Sequence, residues 1–164
     1  MKKRIIFILL ILIVLIISTI ILLKKYPNEI SEKEFYKLIK FEVDDEEKIK
    51  IIDNPMTMDT TTVTWYNIDF NKKEVISLSR TTRHMPGETG ESFSKYEYQL
   101  TNKQISSIKD KIEQIKKLDI EEETKNSLLN GEYTLITKDG QKRIPNNHEA
   151  AKLIKDIEYI LFDI

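Results

Sequence analysis

The apolar run at residues 5–23, IIFILLILIVLIISTIILL, constrains this chain more than any other feature. It carries no charge, and only Ser18 and Thr19 are polar. As a helix it measures about 28 Å, close to the roughly 30 Å hydrocarbon core of a bilayer. In lipid the backbone must satisfy its own hydrogen bonds, so such a run is helical despite its β-branched content. Ser18 and Thr19 can return their hydroxyls to carbonyls one turn back. A cleaved signal peptide shares the basic start Met1-Lys2-Lys3-Arg4. Its apolar core is shorter, however, and no small-x-small cleavage site precedes Lys24. The sequence therefore divides into a basic cytoplasmic N-terminus (1–4), a transmembrane anchor (5–23), a juncture (24–30) and one extracytoplasmic domain (31–164). The Met1–Arg4 cluster favours the N-in orientation, which Lys24 and Lys25 on the far flank weaken without reversing.

Cysteine is absent. Disulfide scaffolds, thiolate zinc sites and thiol catalysis are thereby excluded, as is a lipid-modified cysteine anchor. Net charge is −1, and the basic N-terminus belongs to the anchor, so the remainder is acidic. A nucleic-acid partner, which needs a basic patch, is not expected. There are 22 Lys against 4 Arg, and only two Ala. This skew toward AT-rich codons points to a bacterial source.

Pro27 keeps the membrane helix from running on. Ser31 and Glu34 have capping-box spacing, and Phe35, Leu38 and Ile39 share a helical face, which predicts a short helix over about 32–41. Asp44-Asp45-Glu46-Glu47 lacks the spaced oxygens and turn glycine of a calcium loop and reads as a solvated turn. Lys48–Ile51 alternates as a short strand. Thr60–Phe70 is dense in β-branched and aromatic residues, with Tyr66, Ile68 and Phe70 on one face and Val63 and Trp65 on the other. Val75–Thr81 returns as a hairpin arm, and Ser94–Leu100 alternates as a third strand with one wet face. Thr101 or Asn102 caps a helix over about 102–117, whose Ile105, Ile108, Ile112 and Ile115 form one stripe. Asp139-Gly140 joins Tyr133–Thr137 to Gln141–Ile144 in a second hairpin. Asn146 or Asn147 caps a last helix over about 148–161. Helices follow groups of hairpin-linked strands, which predicts an α+β domain with an antiparallel sheet packed by helices on one face.

Motifs that carry chemistry are missing. The four glycines, at 87, 90, 131 and 140, build no phosphate loop, and no Gly-x-Ser-x-Gly elbow occurs. His84 and His148 each lack a nearby second nitrogen ligand, so no metal or cofactor is expected. Acidic pairs such as Glu88 with Glu91, or Glu121–Glu123, could serve a hydrolase, but a chain this acidic produces such pairs by chance. No catalytic residue is therefore singled out.

Binding residues are easier to nominate. The polar segment 80–92 (RTTRHMPGETGES) reads as the longest loop, with Arg80, Arg83 and His84 crowded at its start. Their donors suit carboxylate or phosphate oxygens. Trp65 points away from Tyr66 and is the aromatic best placed to meet a partner. The expectation is a non-catalytic, membrane-anchored binding module of a bacterial cell envelope. Its partners are the membrane, through residues 5–23, and a protein or an anionic envelope polymer. Two alternatives are a small envelope enzyme acting on cell-wall polymer and an immunity-type protein that blocks a toxin at the membrane.

Overall fold

The computed structural model describes residues 28–55, 60–85, 88–120 and 131–162. The expected anchor at 5–23 lies outside them, and so does most of the stretch between the long amphipathic helix and the second hairpin. Among the described residues no helix is long and apolar enough to cross a membrane.

Seven strands form one antiparallel sheet: β1 (Asn28–Glu29), β2 (Lys48–Asn54), β3 (Thr60–Asp69), β4 (Glu74–Met85), β5 (Glu88–Gln99), β6 (Glu132–Thr137) and β7 (Gly140–Pro145). Their spatial order is β1-β5-β4-β3-β2-β6-β7. Two hairpin systems, β3-β4-β5 and β6-β7, are joined through β2, which pairs with both β3 and β6. The Lys48–Ile51 alternation thus marks the start of a longer, central strand. Asp139-Gly140 turns the second hairpin as the sequence predicts, with Gly140 at φ +136°. Pro145 ends β7 and blunts the outer edge of the sheet.

Three helices accompany the sheet: α1 (Glu32–Leu38), α2 (Asn102–Lys117) and α3 (Glu149–Phe162). Thr101 caps α2 with a full capping box: its hydroxyl accepts from the Gln104 backbone N–H, and Gln104 Oε1 accepts from the Thr101 N–H. Ile108, Ile112 and Ile115 of α2 are buried on Ile49, Ile68, Phe70, Val75 and their neighbours. Ala150, Ala151, Ile154, Ile157 and Leu161 of α3 complete this core. The two helices are tied side by side by Lys111 Nζ–Asp156 Oδ2 at 2.6 Å and by Gln104 Nε2 donating to the Ile160 carbonyl at 2.9 Å. Lys142 donates to the carbonyls of Lys116 and Leu118, satisfying acceptors that the end of α2 leaves open. At the start of α3 the cap is His148, whose Nδ1 accepts from the Ala150 N–H at 3.1 Å. Neither asparagine named from the sequence fills that role, because an imidazole two residues before Ala150 reaches the open N–H equally well.

Helices do not keep to one face. α1 lies on the side opposite α2 and α3, seated by Phe35, which is fully buried. The Phe35 ring meets Trp65 edge-on at 5.4 Å and Phe93 at 4.9 Å. Lys50 and Asn67 donate to the carbonyls of Ile39 and Leu38, anchoring the end of α1. The helix stops at Leu38, earlier than its sequence suggests, because those two carbonyls are taken up by the sheet. Ser31 caps it as expected, while Glu34 turns its carboxylate to Lys95 at 3.3 Å. Within the expected juncture, Asn28 and Glu29 already pair with Lys95 and Ser94 of β5.

Candidate functional site

The sheet extends beyond its main helix layer. On the core face, the register aligns Ile49, Ile68, Val75 and Tyr98 in one row and Ile51, Tyr66, Ser77 and Tyr96 in the next. Further out come Asp53, Thr64, Ser79 and Ser94, then Thr62, Thr81 and Ser92, then Thr60, Arg83 and Gly90. No residue of these outer rows belongs to the hydrophobic core. Their hydroxyls pair across strands, Thr62 Oγ1 with Thr81 Oγ1 at 3.0 Å and Thr64 Oγ1 with Ser79 Oγ at 3.2 Å. The result is a three-stranded blade with a hydroxyl-bearing face.

The segment expected as a loop is the end of this blade. Arg80 pairs with Phe93, Arg83 with Gly90, His84 with Thr89 and Met85 with Glu88. Thr81 and Thr82 favour extended backbone, and β4 and β5 stay paired as far as Met85 and Glu88. Polarity alone suggested a loop; here it marks strands without a core to cover. Strand alternation then separates the two arginines. Arg83 stands in the hydroxyl rows, whereas Arg80 aligns with Val63 and Phe93 on the side of Trp65. The expected cluster is therefore not one anion pocket. Arg80 is half-buried, and its Nε has no hydrogen-bond partner. Trp65 is half-buried beneath α1, and its ring is already engaged by Phe35. Sequence alternation placed Trp65 on the correct face; what it could not see is that α1 crosses to that face.

A second group of residues sits where the blade meets the helix layer. Glu158, in the last turns of α3, brings its carboxyl against Tyr66 of β3 and Tyr133 of β6. Burial pushes Glu158 up to about 7, and Asp53 adds in the same direction; Lys155 and the donating hydroxyls of Tyr66 and Tyr133 oppose the shift. Asp53 is itself raised by burial, with Lys155 opposing. Burial also moves the phenols of Tyr66, Tyr98 and Tyr133 upward, and the Glu158 charge reinforces each. Phe162 closes the group, its ring 6.1 Å from Tyr66 and 6.4 Å from Tyr98. Two buried atoms here lack a hydrogen-bond partner: Glu158 Oε1 and the Tyr98 hydroxyl. No protein-family model matches this chain, and no curated protein or solved structure matches it either.

The sequence places Tyr66 on one strand face with Ile68 and Phe70 but does not single out Asp53 or Glu158. The one available signal was Glu158 itself, an acid one residue past Ile157 on the buried stripe of α3. Among the described residues no three His, Asp or Glu side chains gather as a metal site would require. At the far end of the core face a cavity of about 340 Å³ is lined by Glu46, Glu47, Lys109, Lys116, Lys138 and Asp139 among others. Its charges answer one another: Lys109–Glu47 at 2.7 Å, Lys116–Asp139 at 3.2 Å and Lys138–Glu46 at 3.7 Å. Such a self-neutralised crevice has no electrostatic demand for a ligand.

Proposed function

We propose that this protein is a membrane-tethered binding module of a bacterial cell envelope, with its α+β domain outside the cytoplasm and no catalytic role. The observation that carries the reading is the direction of β1. Asn28 pairs with Lys95 and Glu29 with Ser94, and the Ile30 N–H donates to Phe93. The chain thus runs toward the blade's end as it joins the sheet. Residues 24–27 span at most about 17 Å between the end of the apolar run and Asn28. From Lys95 to Glu88 the blade continues for about 23 Å. A domain held at Asn28 by a membrane anchor therefore presents its hairpin end away from the bilayer, where a protein or an envelope polymer can meet it.

A small wall-active enzyme is the second reading, favoured by Asp53 and Glu158, since a raised carboxyl beside another acid is the pairing that glycoside hydrolysis uses. Two experiments test the proposal. Protease added to wall-stripped intact cells should digest residues 24–164; protection until the membrane is opened refutes the outward orientation. Turnover of wall polymer by the wild-type protein, abolished in Glu158→Gln, would replace binding with catalysis.

A further inference from the structure

We infer that the group formed by Asp53, Tyr66, Tyr98, Tyr133, Glu158 and Phe162 is a binding site for a primary alkylammonium group, of the kind a lysine side chain carries. The inference rests on the binding reading and names a ligand class for it. Three observations carry it.

First, these residues converge. Asp53 pairs across strands with Tyr133 on one side and with Thr64, two residues from Tyr66, on the other. Glu158 and Phe162 stand four residues apart on α3 and so project from the same side of its last turns. The Tyr66 and Tyr133 hydroxyls donate to the Glu158 carboxyl, and the Phe162 ring lies near those of both Tyr66 and Tyr98. Ser77, set between Tyr66 and Tyr96 in the register, keeps the floor between the tyrosines low. Phe162 is 53% exposed and forms an outer wall. Second, the group holds acceptors that nothing uses. Glu158 Oε1 is buried without a hydrogen-bond partner. The Tyr98 hydroxyl is in the same condition on a residue only 9% exposed, and it lies close enough to Glu158 to feel its charge. Buried polar atoms left unbonded are costly, and both of these oxygens can accept from a donor. Third, the chemistry selects a cation. Asp53 and Glu158 repel anions, and Lys155, which is exposed, acts on both through its field alone. Among the described residues no three His, Asp or Glu side chains gather, so a divalent metal lacks its ligands. Aromatic rings attract organic cations through their faces. A quaternary ammonium brings no N–H, whereas a primary ammonium brings three, enough for Glu158, Tyr98 and Asp53 through charge-assisted bonds.

The test uses the full chain in a polyoxyethylene detergent and an amine-free buffer, with carbon-labelled tyrosine rings followed by NMR. Nα-acetyl-lysine amide and butylammonium chloride should each shift the Tyr66, Tyr98 and Tyr133 signals saturably. Tighter binding of the lysine derivative assigns the source to a peptide, and equal binding assigns it to a free amine; either sustains the inference. The norleucine analogue lacks the charge and the trimethyl-lysine analogue lacks the N–H donors, so both should bind at least tenfold more weakly. Glu158→Gln should weaken binding at least tenfold with unchanged circular dichroism. Tyr98→Phe removes a hydroxyl that has no partner to lose, so it should fold normally and bind at least threefold more weakly. Affinity should rise about tenfold from pH 6 to 8, as Glu158, pushed up to about 7, gives up its proton. The groups facing it are Asp53 of β2, Tyr66 of β3, Tyr98 of β5, Tyr133 of β6 and Lys155 of α3, and burial keeps the three phenols protonated across that range. Absence of saturable shifts with both amines overturns the inference, as does unaltered affinity in Glu158→Gln. Equal binding of the norleucine or trimethyl-lysine analogue also overturns it, and so does an affinity that falls from pH 6 to 8. Protease protection in intact cells would instead refute the outward orientation and leave the titration standing.

Discussion

Glu158 makes the stability of this protein depend on pH in the direction opposite to most carboxylates. Its carboxyl sits at about 7 when folded, against 4.5 for the free side chain. The folded state therefore holds a proton that the unfolded state has released, and stability falls as pH rises between those values. The full shift corresponds to at most about 3 kcal/mol. Because the residue is only half-buried, solvent screening reduces the working figure to about 1–2 kcal/mol. Asp53, raised by burial as well, contributes with the same sign. Glu158→Gln keeps an acceptor for the Tyr66 and Tyr133 hydroxyls and cannot ionise. Urea unfolding between pH 5 and 8, read by the fluorescence of the single tryptophan, measures the difference. Wild type should lose about 1–2 kcal/mol across that range. The glutamine variant should lose clearly less and be the more stable protein at pH 8. A wild-type stability that climbs from pH 5 to 8, or a slope unchanged in the variant, refutes the reasoning.

Ile112, 5% exposed in the core, should cost several kcal/mol when changed to Asp, which buries an unpaired charge, whereas Lys103→Gln on the exposed side of α2 should stay within about 0.5 kcal/mol by the same unfolding assay. Phe35→Ala should cost about 3–5 kcal/mol and shift Trp65 emission to the red as α1 loosens. Gly140→Ala should cost about 1–2 kcal/mol, because φ +136° is strained for a side chain even in open space, while Gly90→Ala, with nothing near its added Cβ, should leave the melting temperature unchanged or slightly raised.

The period-2 and 3.6-residue patterns made most elements legible. Tyr66, Ile68 and Phe70 fall together on the covered face and Trp65 on the other, as alternation requires. The isoleucine stripe of α2 packs where its spacing indicates. What periodicity lacks is any term for which side of a sheet a short helix will choose. α1 was read correctly as amphipathic, yet its crossing to Trp65 is decided by Phe35, Phe93 and the acceptance of Asn67 and Lys50 bonds, all long-range. Residues 80–92 were misread for a related reason. An exposed strand carries the same polar residues as a loop, and its partners lie on a neighbouring strand. The Asp53–Glu158 group was illegible because its meaning comes from burial by residues in four separate elements.

A pull applied on the N-terminal side of Asn28 would enter this fold through β1. The strand is two residues long and antiparallel to β5, so a pull along its axis drags Asn28 and Glu29 lengthwise along Lys95 and Ser94. Their bonds share the load rather than parting one at a time. Once they give, the next restraint is the Ser31 cap and the Phe35 wedge, not the isoleucine core. Peeling residues 28–39 releases roughly 40 Å of slack while the six remaining strands stay paired. Under such a pull the short helix would give way as a mechanical fuse before the strain reached the blade.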